Sequence, residues 1–242
     1  MLMRIVMAAL IAGALAGTLV FAGHMWKTTP LILHAEVFEN QGGAHTHGHE
    51  DPAAANKAAA AHDHGSHDHG GDGAFSPEDG FERNAFTLLS DIITAIGFAF
   101  ILIGTMALSG RHVGWRSGMI WGLCGYAAFY LAPAVGLAPE LPGMAAADLV
   151  SRQTWWLGTA TATATALGLM FFAPGHLWKV AAVILLALPH IVGAPHPTGA
   201  HGSVPPELAA QFAVATLAIT GLFWMALGSL GGYFFDRFGD TA

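Results

Sequence analysis

The chain has 242 residues, 54% of them hydrophobic and only 10% charged, with a formal net charge of −7 and a mean hydropathy of +0.52. A soluble domain carries roughly 25% charged residues, so this composition excludes an ordinary soluble globule and indicates an integral membrane protein. There is no basic nucleic-acid surface, no Gly-x-x-x-x-Gly-Lys-Ser/Thr loop for ATP, and the single cysteine, Cys124, excludes an internal disulfide, a zinc finger or a redox pair.

The first apolar run covers residues 5–23, after Arg4. It reads as a retained membrane helix rather than a signal peptide: it is long for a signal core, and Gly13-x-x-x-Gly17 is a helix-packing pattern. A polar segment, 25–85, follows and is expected to be a loop. Near its start, His34-x-Glu36-x-x-Glu39 would share one face of a short helix. Its centre carries His45, His47, His49, His62, His64, His67 and His69, with Asp51, Asp63 and Asp68 between them. Neutral imidazole suits Zn, Cu, Ni and Co, and carboxylates add harder donors. Most histidines are neutral at pH 7 and free to bind. Such a Gly- and Ser-spaced tract is expected to be disordered without metal and to bind quickly, loosely and with little selectivity.

The second run, 86–108, carries Asp91 a turn or so inside its start. An ionisable group at that depth is costly, faces the bundle or a cavity, and has a partner. Arg152 and His190 are the expected partners. The third run, 118–137, leads into the stiff turn Ala138-Pro139-Glu140-Leu141-Pro142-Gly143. The fourth, 155–173, follows Arg152 and contains alternating Thr and Ala over 159–166. The fifth, 178–193, is short and holds Pro189, so it is a tight span, a broken helix or a re-entrant segment. Its far end reads Pro189-His190-Ile191-Val192-Gly193-Ala194-Pro195-His196-Pro197, with His201 beyond. Prolines and glycines there break helical hydrogen bonding between His190 and His196, and broken helices in transporters mark binding sites. The sixth run, 208–235, begins beside Glu207 and Gln211, which share a face at i, i+4 spacing. A spanning helix needs about 20 apolar residues. Five of the six runs meet that length. Gly118/Gly122, Gly228/Gly232 and the Thr/Ala repeat read as close helix packing.

Lys and Arg near helix ends set orientation. With the N-terminus inside, Arg4, Arg111, Arg116, Lys179 and Arg237 fall inside, and Lys27, Lys57, Arg83 and Arg152 outside. The His-rich segment and the loops bearing Glu140 and His196 then share the outer side. Domain bounds follow as a first helix at 1–24, a His-rich extracytoplasmic loop at 25–85, a helical bundle at 86–237 and a short tail at 238–242.

Four blocks carry a family resemblance. They are Thr29-Pro30-Leu31-Ile32-Leu33, the stretch from Pro133 through Pro-Glu-Leu-Pro-Gly to Gly143, Arg152-Gln153-Thr154-Trp155-Trp156, and Pro189-His190-Ile191-Val192-Gly193-Ala194-Pro195-His196. Together they resemble the CbtA family of predicted bacterial cobalt-transporter subunits. The resemblance implies a multi-pass protein of the bacterial inner membrane, supplying cobalt for cobalamin synthesis beside a small single-span, CbtB-like subunit. Cobalt is the implied metal; nickel and zinc stay open, because the His-rich insert exceeds what the family requires.

The expectation is an all-α polytopic helical bundle of five to six spans, not an enzyme and with no permanently bound cofactor. The tract captures divalent metal and passes it to a site built from His190, His196, Glu140 and Asp91, with Arg152 orienting an acid. Membrane lipid is its surrounding partner, nucleic acid is not one, and self-association is open. The competing reading is a membrane-anchored metal buffer or sensor that does not transport.

Overall fold

The computed structural model describes residues 1–44, 80–197 and 202–239, with side chains to Glu39 in the first of these. Every regular element among them is helical. In chain order they are α1 (Leu2–Gly23), a π-helical turn (His24–Thr28), α2 (Thr29–Ala44), α3 (Phe81–Leu108) and α4 (Trp115–Tyr126). A second π-helical turn (Ala127–Leu131), α5 (Ala132–Gly136), α6 (Leu149–Phe172), α7 (His176–Val192) and α8 (Pro206–Arg237) complete the order.

Four segments are long and apolar enough to cross a membrane: Leu2–Glu39, Phe81–Leu108, Trp115–Gly136 and Pro206–Arg237. This corrects the expectation of five. The run 155–173 lies in the 24-residue α6, whose Arg152, Gln153 and threonines dilute its apolar character. The 17-residue α7 is apolar but short. The chain is an all-α polytopic membrane protein with a peripheral α6–α7 pair.

The first helix does not stop where its apolar run stops. It passes through the π-helical turn into α2, so residues 25–44 are helical rather than looped. Proline explains both π-helical turns. Its ring pushes on the carbonyl four residues back and its nitrogen donates nothing. That carbonyl belongs to Trp26 for Pro30 and to Phe129 for Pro133, each inside a widened turn. The hydrogen bonds there reach five residues back, Thr29 N–H to His24 and Ala132 N–H to Ala127.

Residues Leu2–Glu39 would measure about 57 Å at 1.5 Å per residue, well beyond a hydrocarbon core of about 30 Å. The excess builds a cap. Ala35 of α2, Leu141, and Leu208 and Phe212 of α8 form a small second core there. The main core lies lower, around Ile103, Met106, Trp224 and Leu227.

Close helix contacts follow the glycine patterns. On α4 and α8, a side chain on Gly118 would strike the Gly228 carbonyl, and one on Gly232 would strike that of Gly114. Gly13 and Gly17 bring α1 against Ile96 and Ile92 of α3.

Contacts also sort the ends. At one end Arg4 donates to the Phe235 carbonyl and lies over its ring, His112 meets Asp236 at 2.8 Å, and Arg111 covers the Phe172 ring. The opposite end gathers α2, the start of α3, the Glu140 turn and the segment after α7. Glu36 pairs with Arg83 at 2.9 Å, and Ser203 N–H donates to the Gly143 carbonyl at 3.0 Å.

Candidate functional site

The Glu140 end holds nearly all the described metal-ligating side chains, but at separate stations. The first joins α1 to α3. His24 begins the π-helical turn, and its Nδ1 lies 3.1 Å from Oδ2 of Asp91, with both side chains largely buried. Gly17 lets α1 approach the Asp91 backbone closely enough for this. Thr28 donates to the His24 carbonyl one turn on. Asp91 was expected to pair with Arg152 or His190; its partner is His24. The missed residue had a signal: His24 closes the first apolar run and Asp91 opens the second, so antiparallel neighbours place them at one depth.

The second station is the turn after α5. Glu140 accepts from Arg152 Nη2 at 2.7 Å, with exposures of 24% and 30% that leave both groups mostly out of solvent. Arg152 therefore holds an acid, as expected, and that acid is Glu140. It sits in the first turn of α6, which Asp148 caps by accepting from Ser151 N–H at 2.9 Å. A cavity of about 490 Å³ opens beside the pair, lined by Tyr130, Leu137, Glu140, Arg152, Gln153 and Trp156.

The third station is the end of α7. Pro189 stays inside the helix, and the break falls at Gly193, whose φ of 85° favours a residue without a side chain. The interruption thus falls between His190 and His196, as expected, and Gly193 N–H still bonds to the Pro189 carbonyl at 3.0 Å. His190 is exposed and meets the Trp155 ring edge-on, with ring centroids 6.2 Å apart. That ring, with Ala194, occupies the space a side chain on Gly136 would need. His196 lies exposed beyond the helix, and Glu207 and Gln211 are exposed on α8.

Among the described residues, no three of the His, Cys, Asp and Glu side chains come together around one ion position. Asp91 pairs with His24, Glu140 with Arg152, and His190 lies against Trp155. His45, His47, His49, His62, His64, His67, His69 and His201 lie outside the described residues.

One feature sets α6 apart among the described residues. Five buried side-chain polar atoms have no hydrogen-bond partner among the described residues. Four are on α6: Arg152 Nε, Trp155 Nε1, Thr159 Oγ1 and Thr163 Oγ1; the fifth is Thr216 Oγ1 of α8.

Compared with known proteins, the chain matches one family model, described as "Probable cobalt transporter subunit (CbtA)", over residues 2–236. No curated protein and no solved structure matches it.

Proposed function

The chain belongs to the CbtA family, and from that membership we propose that it is the cation-handling subunit of a cobalt uptake system in the bacterial inner membrane. The N-terminus is cytoplasmic and the Glu140 end faces outward. The tract from His45 to His69 captures the divalent ion and raises its local concentration. His24 with Asp91, then Glu140, His190 and His196, offer imidazole and carboxylate ligands that Co²⁺ accepts and releases quickly. A two-charge ion gains about 4.6 kcal/mol on moving inward across 100 mV, so a route without nucleotide is sufficient. A small single-span CbtB-like chain is the partner that the word "subunit" in the family description calls for, and cobalamin synthesis is the consumer.

One observation carries this reading. The helix ends that lead into and out of the tract, Ala44 of α2 and Phe81 of α3, lie at the same end of the bundle as the acceptor residues. Capture and acceptance then share one face, which suits uptake.

The test is uptake of labelled Co²⁺, Ni²⁺ and Zn²⁺ into proteoliposomes holding the purified chain, alone and with a single-span partner. Deleting residues 44–73 is expected to weaken uptake at low metal and to spare it at high metal. Asp91→Asn, Glu140→Ala and His190→Ala are expected to reduce it at every concentration. Wild-type vesicles that take up no metal in either form would overturn transport. The buffer or sensor reading has one observation in its favour, the lack of an assembled three-ligand site among the described residues. It predicts that deleting the tract abolishes all function.

A further inference from the structure

We propose that one face of α6 binds a file of water molecules, leading from the cavity at the Glu140 end about halfway into the bundle. The inference goes beyond the transport reading and does not rest on the identity of the cargo.

The four unpartnered atoms on α6 belong to residues 152, 155, 159 and 163. At 100° per residue these fall within an arc of about 80°, so they form one stripe. Thr159 is 1% exposed and Thr163 3% exposed. Buried polar groups without partners are rare and costly. Helical threonines usually resolve this by donating to the carbonyl four residues back. Thr18, Thr87, Thr105 and Thr154 do so here, at 2.8–3.0 Å. Thr159 and Thr163 do not, although they lie in the same kind of helix.

Spacing identifies an occupant. Residues four apart rise about 6 Å along a helix. A water bridging two hydrogen bonds of about 2.8 Å at a near-tetrahedral angle spans about 4.6 Å, so one or two waters join each step. From Arg152 to Thr163 the stripe runs about 16.5 Å, roughly half of a 30 Å hydrocarbon core.

Chemistry narrows it further. Guanidinium and indole nitrogens only donate, so whatever meets Arg152 Nε and Trp155 Nε1 must accept. A bare cation is excluded at that mouth. An anion is disfavoured because Glu140 already holds the Arg152 charge at 2.7 Å. A neutral molecule that accepts from the nitrogens and both donates to and accepts from the hydroxyls remains, and water is the smallest. The cavity meets the stripe at Arg152, the one of the four residues that lines it.

Radiolytic labelling, in which bound water is converted to hydroxyl radical in place, tests the file in lipid nanodiscs. Trp155 is the reporter, and Trp224, 2% exposed in the main core, is the dry reference. The wild type is expected to label Trp155 several-fold faster than Trp224. Thr159→Val with Thr163→Val should lower Trp155 labelling below the wild-type rate without raising the melting temperature, and the paired Ser variants should retain the wild-type rate. If the double variant fails to fold, the single Val variants carry the same comparison. Unchanged Trp155 labelling in the Val variants overturns the file. So does a rise in melting temperature on substitution, which is the mark of hydroxyls relieved from a dry contact. Stabilisation of the wild type by chloride would replace water with an anion.

Discussion

Two helix faces in this bundle look alike in sequence and differ in physical character. Where α4 meets α8, Gly118 and Gly122 lie against Gly228 and Gly232, and backbone touches backbone with no space between. On α6 the Thr/Ala repeat also presents small residues at helical spacing, but Thr159, Thr163, Trp155 and Arg152 align polar atoms that no described group satisfies. Small side chains permit close approach in lipid, where packing rather than hydrophobicity drives association. A hydroxyl on the same pattern demands a partner. The first face excludes everything; the second recruits something.

Filling the dry face has the largest expected effect. Gly228→Val would push a side chain into the Gly118 carbonyl and the Gly122 backbone. Overpacking costs about 1–3 kcal/mol and more when backbone cannot yield, so a loss at the upper end of that range is expected in reversible unfolding. Gly158→Ala on α6 is the contrast, because open space surrounds that position and Ala gains about 1 kcal/mol of helix propensity over Gly. Equal melting temperatures for the two variants would show that the α4–α8 contact tolerates a side chain.

The mouth of the polar face comes next. Arg152→Ala removes the Glu140 partner and leaves a mostly buried carboxylate without its charged donor. A hydrogen bond to a charged group contributes about 1.5–3 kcal/mol, and partial exposure places this one near the lower bound. Adding Glu140→Gln should recover part of the loss. Strict additivity in the double-mutant cycle would mean that the two residues do not act as a pair.

Hydrophobic runs and glycine spacing made most of the bundle legible, because both periodicities report directly on lipid exposure and close packing. A short helix over 34–39 was legible, but its continuity with the first span was hidden: His34, Glu36 and Glu39 break the apolar pattern, and the segment packs on Leu141 and Phe212, far away in sequence. The π-helical turns left a trace only in Pro30 and Pro133, whose effect falls on carbonyls four residues earlier. At the site, the sequence indicated that Arg152 orients an acid but not that the acid is Glu140. The Asp91 partner was misread because charge sign drew attention to Arg152, whereas depth in the membrane selects His24. One face of the Thr/Ala repeat is buried as a packing pattern should be, but the sequence does not tell that the Thr159 and Thr163 hydroxyls lack partners there.

The smallest expected effect concerns the cap that sets where α6 begins. Asp148 accepts from the Ser151 backbone N–H and hydroxyl, both at 2.9 Å, and these bonds hold its carboxyl below the usual range. A folded value below the unfolded one gives stability that is present above the unfolded pKa and lost as pH falls through the folded pKa. Asp148→Asn keeps an oxygen to cap with but does not titrate. The wild type should therefore lose more melting temperature on acidification than Asp148→Asn, and the two should converge once the carboxyl is protonated. Asp148→Ala should be lower than both near neutral pH. Because this carboxyl is exposed, the differences will be modest. Superimposable acid profiles for wild type and Asp148→Asn would show that the cap contributes no pH-dependent stability, leaving the Glu140 contact alone to hold Arg152 at the mouth of the stripe.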